Sequence, residues 1–144
     1  KFKKNSLGIT MTKRTVNQLV QKSYQNACDH GWHDQPRTVG DLICLMHSEL
    51  SEALEEYRNG HAPSEVYFND SKPGKPEGIP VELADCVIRI FDFCGLYDID
   101  LETILNQKMQ YNATRPYRHG GKKVWDDSWM IKTWTFSLKM IIEK

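Results

Sequence analysis

What the chain has little of narrows the field first. It carries no net charge, with Lys+Arg and Asp+Glu equal at 19 each. No global field therefore points to nucleic acid or an anionic membrane. No apolar run approaches the roughly 20 residues of a membrane span, and nothing near Lys1 reads as a secretory signal. The cysteines (Cys28, Cys44, Cys86 and Cys94) are scattered, with no Cys-x-x-Cys unit. Three of them sit on expected helices among apolar neighbours, so reduced, buried thiols in a cytoplasmic protein are expected. Prolines are few, but Pro63, Pro73 and Pro76 crowd one stretch with Gly60, Gly74 and Gly78.

The stretch from Glu49 to Asp85 carries the chemistry. Glu49-Leu50-Ser51-Glu52 and Glu82-Leu83-Ala84-Asp85 are two acid-x-x-acid units, each pairing carboxylates one helical turn apart. At roughly 100° per residue, Leu42, Leu45, Met46, Leu50, Ala53, Leu54 and Tyr57 trace an apolar arc. Glu49, Glu52 and Glu56 fall within or beside it. On the later helix, Glu82, Asp85, Arg89 and Asp92 form a narrow polar stripe amid Leu83, Val87, Ile88, Ile90, Phe91 and Phe93. A helix apolar nearly all round is a buried one, so its polar stripe faces something specific. A solvated acidic face, with Arg89 neutralising part of it, is the plain alternative for either unit alone. Two carboxylates about 4 Å apart repel by roughly 4 kcal/mol at an effective dielectric near 20. Protons or cations must relieve that, and an all-oxygen site suits Mg²⁺ or Mn²⁺.

In chain order, residues 1–12 read as a basic, flexible lead-in. Val16, Leu19, Val20, Tyr24 and Ala27 set a first helix over 15–30, stopped by Gly31. Trp32 and His33 in the following turn are either a core plug and a surface residue, or the walls of a ligand pocket. A second helix is expected over 39–59 behind Thr38. The breaker-rich connection 60–79 is read as a binding loop or lid, or equally as a hairpin tip. Pro80 opens a third helix to about Leu96, and Asp98-Ile99-Asp100 caps a fourth. On that helix Lys108, Asn112 and Arg115 are expected on one face. From Arg115 to Lys123, basic residues flank Gly120-Gly121, which suits polyphosphate oxygens or a solvated basic tail. From Trp134 to Ile142 a period-two alternation argues for a strand in an otherwise helical chain. The expected architecture is one all-α domain over 1–144, a four- to five-helix bundle with a distinct tail from residue 124.

With both acidic units and the segment Lys108-Met109-Gln110-Tyr111-Asn112-Ala113-Thr114-Arg115-Pro116-Tyr117-Arg118-His119-Gly120-Gly121-Lys122 in hand, the chain resembles the MazG-like branch of the all-α nucleoside triphosphate pyrophosphohydrolases. The likeness spans roughly residues 15–123; its gap between the acidic units is longer than the family's, and the tail lies outside it. The resemblance implies hydrolysis of a (deoxy)nucleoside triphosphate to the monophosphate and pyrophosphate, in nucleotide-pool cleansing. It implies Mg²⁺, with Mn²⁺ as substitute, on Glu49, Glu52, Glu82 and Asp85, with Glu52 nearest the attacking water. It implies nucleotide contacts from Lys108, Asn112 and Arg115, less directly from Arg118 and Lys122, and a homodimer or homotetramer. Neither a stable nucleic-acid complex nor a membrane partner is expected. A catalytically silent helical oligomer that binds nucleotide or a protein is the alternative. A di-iron bundle expects Glu-x-x-His units, and His47 stands at the wrong spacing from Glu49.

Overall fold

A computed structural model describes residues 13–117. The expected lead-in over 1–12, the basic residues Arg118 and Lys122, and the tail from residue 124 lie outside the described residues. Four helices and one small antiparallel sheet follow in order: α1 (Val16–Asp29), α2 (Val39–Arg58), β1 (Tyr67–Phe68), β2 (Pro76–Glu77), α3 (Ile79–Leu96) and α4 (Leu101–Ala113). The described chain is thus mainly helical, as expected of an all-α bundle. None of its helices is long and apolar enough to cross a membrane. The chain divides into two compact units, Lys1–Asn106 and Gln107–Lys144.

Local chemistry fixes the ends. Thr15 and Thr38 each build a capping box: the threonine hydroxyl accepts from the N3 amide, and the side chain of Gln18 or Asp41 answers the cap's own N–H. Such caps are worth about 1 kcal/mol each. Asp41 is held below the usual carboxylate range by the Thr38 hydroxyl and amide. At the end of α1, Gly31 takes φ 73, and the Trp32 amide closes back on the Ala27 carbonyl. Only a residue without Cβ adopts that left-handed turn freely, so Gly31 both stops the helix and aims Trp32. Pro80 sits in the first turn of α3, where its missing N–H costs nothing.

In the first unit α1 and α2 both pack against α3. Val20, Leu42, Ala53, Cys86 and Cys94 form the buried apolar core. α4 begins on an Asp100 cap, whose Oδ1 accepts from the Thr103 amide at 3.1 Å. Asn17 ties that start to α1: its Nδ2 donates to Asp100 Oδ1 at 2.7 Å, its amide donates to Glu102, and its Oδ1 accepts from the Glu102 amide.

Three expectations need correction. The α2 arc splits: Leu42 and Ala53 are buried, while Leu50, Leu54 and Tyr57 are exposed. α3 is not covered all round, because Leu83, Val87 and Ile88 are also exposed. Both follow from how few elements pack here: α1 and α2 each meet α3, and the rest of each helix surface is left open. Cys86 and Cys94 are buried free thiols as expected, but Cys28 is half-buried and Cys44 exposed, since Cys44 falls on the outer side of α2.

The breaker-rich connection is a hairpin. Tyr67 pairs with Glu77 and Phe68 with Pro76. Its base is anchored to α2: the Tyr67 hydroxyl donates to both carboxylate oxygens of Glu56 at 3.1 and 3.3 Å. The His61 ring stacks on Tyr67 at 4.4 Å.

Candidate metal centre

Within the first unit a cavity of about 380 Å³ opens between α1, α2, α3 and the hairpin, inside the range of small-molecule pockets, about 300–1,000 Å³. All four expected acids line it: Glu49 and Glu52 from α2, Glu82 and Asp85 from α3. Arg89 and Asp92 continue the α3 wall, so the entire polar stripe of that helix faces one space. Helical periodicity explains this, since positions 82, 85, 89 and 92 repeat at three and four residues.

Glu49, Glu82 and Asp85 bring one carboxylate oxygen each to within 4.8 Å of one another. Glu49 is 4% exposed and Glu82 5%. At that separation two full charges repel by roughly 3 kcal/mol at an effective dielectric near 20. Glu82 responds as physics requires: burial pushes its pKa up first, and the charges of Glu52, Asp85 and Glu49 push it further. Asp85 is raised by burial, then by Glu49, with Lys75 and Arg89 opposing. Glu52 is exposed and stands outside the three-oxygen cluster, although it lines the cavity and its charge bears on Glu82.

The acids differ in how they are partnered. Glu49 accepts from Arg89 Nε at 2.5 Å. Among the described residues Glu82 has no hydrogen bond or ion pair, although it is nineteen-twentieths buried. No side-chain oxygen or nitrogen among the described residues is both sealed off and unpartnered, so the Glu82 carboxylate opens onto the cavity that it lines. The all-oxygen cluster is of the hard-donor kind that suits Mg²⁺ or Mn²⁺. Glu56, which shares the acidic stripe in sequence, does not line the cavity; Tyr67 and His61 take it up instead.

Trp32 and His33 both line the cavity. The Trp32 ring is 49% exposed, so it is a wall rather than a core plug. The Arg37 and Arg89 guanidinium carbons lie 5.1 and 5.9 Å from its centroid, within cation–π range. His33 is bound to Asp92 Oδ1 through Nε2 at 2.8 Å, and its ring tilts against Tyr24 at 5.3 Å. Ser23 and Asn26 of α1, with Arg37 and Lys75, complete the lining. Sequence reasoning passed over these four. The i, i+3 pair Ser23 and Asn26, followed by small Ala27, was the available signal; Arg37 and Lys75 sit in irregular connections, where no periodicity points.

Lys108, Asn112 and Arg115 fall in the second unit and are exposed. Lys108 Nζ lies 5.1 Å from the Tyr111 ring. α4 ends at Ala113, so Arg115 is not on the expected helical face; its amide closes a turn on the Asn112 carbonyl. Pro116 accounts for that, because the residue before a proline is driven out of helical conformation.

In comparisons with protein-family models, curated proteins and solved structures, nothing matches the chain.

Proposed function

We propose that the protein is a MazG-like, Mg²⁺-dependent nucleoside triphosphate pyrophosphohydrolase that converts a (deoxy)nucleoside triphosphate to the monophosphate and pyrophosphate in nucleotide-pool cleansing. The observation that carries this reading is Glu82, buried beside Glu49 and Asp85 without a partner among the described residues, at the wall of a nucleotide-sized cavity. A catalytically silent binding module would have no use for so unfavourable a cluster.

Glu49, Glu82 and Asp85 would hold Mg²⁺, with Mn²⁺ as substitute. The ion, when bound, neutralises phosphate oxygens and makes a neighbouring water more acidic. Glu52, which lines the cavity outside the three-oxygen cluster, would be the carboxylate nearest the attacking water and would accept its proton. Arg89 holds Glu49 in place and offsets its charge. The Trp32 ring, with the Arg37 and Arg89 guanidinium groups over it, would give the cavity an aromatic and cationic wall beside the acids. Phosphoryl chemistry needs chiefly such positioning and charge neutralisation. Lys108, Asn112 and Arg115 remain the nucleotide contacts that the family likeness proposes. The exposed apolar side chains Ile43, Leu50, Leu54, Leu83 and Val87 support assembly into a homodimer or homotetramer, which would bury them.

The test is pyrophosphate release from a panel of canonical and modified NTPs and dNTPs with Mg²⁺, with Mn²⁺ and with chelator. Metal-dependent release of pyrophosphate and monophosphate is expected. Silence across the panel from folded, metal-supplied protein would refute the enzyme.

A further inference from the structure

We propose that Lys75 forms a phosphate-binding position at the hairpin end of the cavity, exchanging its contact with Glu77 for a phosphate oxygen of the substrate. This rests on the triphosphate reading above and adds to it a residue that no motif in the sequence marks.

Three cations among the described residues line the cavity: Arg37, Lys75 and Arg89. Two are committed. Arg89 is closed on Glu49, and Arg37 lies over the Trp32 ring. Lys75 stands apart from both, on the side of the acid cluster, where its charge acts on Glu82 and Asp85. A phosphate neutralised by a cation on those acids would meet Lys75 next.

The geometry keeps the base of Lys75 fixed and its tip free. The Lys75 amide donates to the Lys72 carbonyl at 3.1 Å, and the following residues Pro76 and Glu77 are paired to β1. Gly78, the N-cap of α3, lies against the Glu65 carbonyl so closely that a Cβ there would collide with it. The hairpin base is therefore set against α3 one turn before Glu82. The ammonium, by contrast, is half-exposed and, among the described residues, bound to Glu77 alone, at 2.8 and 2.9 Å.

The Lys75 side chain is 50% exposed and that of Glu77 14%, so solvent reaches the ammonium and screens the pair. Leaving Glu77 for a doubly charged phosphate is therefore a small loss against a stronger charge-assisted contact. Glu77 holds the ammonium at the cavity until the anion arrives. No bond is made or broken in the exchange; Lys75 acts on ground-state binding of the phosphates.

The experiment compares wild type, Lys75→Met, Lys75→Gln and Lys75→Arg, with thermal melts confirming the fold of each. Steady-state pyrophosphate release with Mg²⁺ gives KM and kcat, and calorimetry with Mg²⁺ and inorganic pyrophosphate gives binding directly. The Met and Gln variants are expected to raise KM about tenfold and weaken pyrophosphate binding by a similar factor, the loss of one charge-assisted contact. Their kcat should stay within about threefold, and Arg should recover most of the affinity. With an active wild type, unchanged KM and pyrophosphate affinity, or a fall in kcat alone, would overturn the Lys75 position and leave the hydrolase standing. A wild type that releases no pyrophosphate would overturn the hydrolase, and the Lys75 position with it.

Discussion

Arg89 of α3 closes on Glu49 of α2, with Nε 2.5 Å from Oε1, the carboxylate 6% exposed and the guanidinium group's side chain 31% exposed. This contact ties the two helices that carry the acids and places one positive charge beside a cluster that otherwise repels itself. It also leaves Glu82 with no comparable partner among the described residues, which makes the cluster asymmetric.

Replacing Arg89 by Met should therefore strand a buried carboxylate. In chelator the variant should lose about 1–3 kcal/mol of stability, and Mg²⁺ should return much of it by taking over the neutralising role. Thermal melts with and without the metal check this. An equal loss in both conditions would speak against a cation site next to Glu49.

Glu82→Gln and Asp85→Asn should separate stability from activity. Each removes one of the crowded charges, so metal-free protein should gain on the order of 1–2 kcal/mol. Each should also lower metal-dependent pyrophosphate release at least about a hundredfold, the scale of a lost electrostatic contact to the transition state. A variant that kept most of its activity would remove that residue from the metal set.

The pH dependence has a definite sign. Burial and neighbouring acids raise Glu82 and Asp85 above their ordinary values, so the fold binds protons more tightly than the unfolded chain does. Their contribution is favourable below the ordinary carboxylate range and is lost as pH rises through the raised values. Metal-free protein should accordingly melt higher as pH is lowered from neutral through the raised values toward the ordinary carboxylate range, an effect that Glu82→Gln should shrink and Mg²⁺ should reverse. At still lower pH the trend should invert, because Thr38 holds Asp41 low and Asn17, then Thr103, hold Asp100 low, and both lose those contributions on protonation.

Gly95 tests the packing of α1 on α3. A Cβ there would run into the Tyr24 side chain, so Gly95→Ala should destabilise by about 1–3 kcal/mol through overpacking, despite the better helix propensity of alanine. Denaturant unfolding measures it. A stabilised variant would show that Tyr24 moves aside freely.

Much of the site was legible because helices carry their own ruler. The stripe of Glu82, Asp85, Arg89 and Asp92 could be drawn from spacing, and all four line the cavity. The helix ends were equally local: Thr15, Thr38, Gly31 and Asp100 act through residues two to five positions away. The two tyrosine contacts show the other side. Tyr67 capturing Glu56 depends on how the hairpin folds back, and Tyr24 meeting Gly95 depends on how α1 lies on α3; no periodicity encodes either. The same holds for the outer faces of α2 and α3. Apolar content forecast that Leu50, Leu54, Leu83 and Val87 belong in an interior, but only the packing of α1 and α2 on α3 shows that they are left exposed.

The sequence by itself determined which residue types stand at which helical phase, and hence two acidic pairs, their caps and the turns between them. Tertiary structure decided how those pairs are treated: Glu49 neutralised by Arg89, Glu82 buried and unpartnered among the described residues, Glu52 left at the open side, and Lys75 brought to the rim from a turn. The reason is range. Capping and helical phase act over one turn of backbone, whereas burial and charge depend on neighbours supplied by distant parts of the chain, and those exist only once the helices and the hairpin have met.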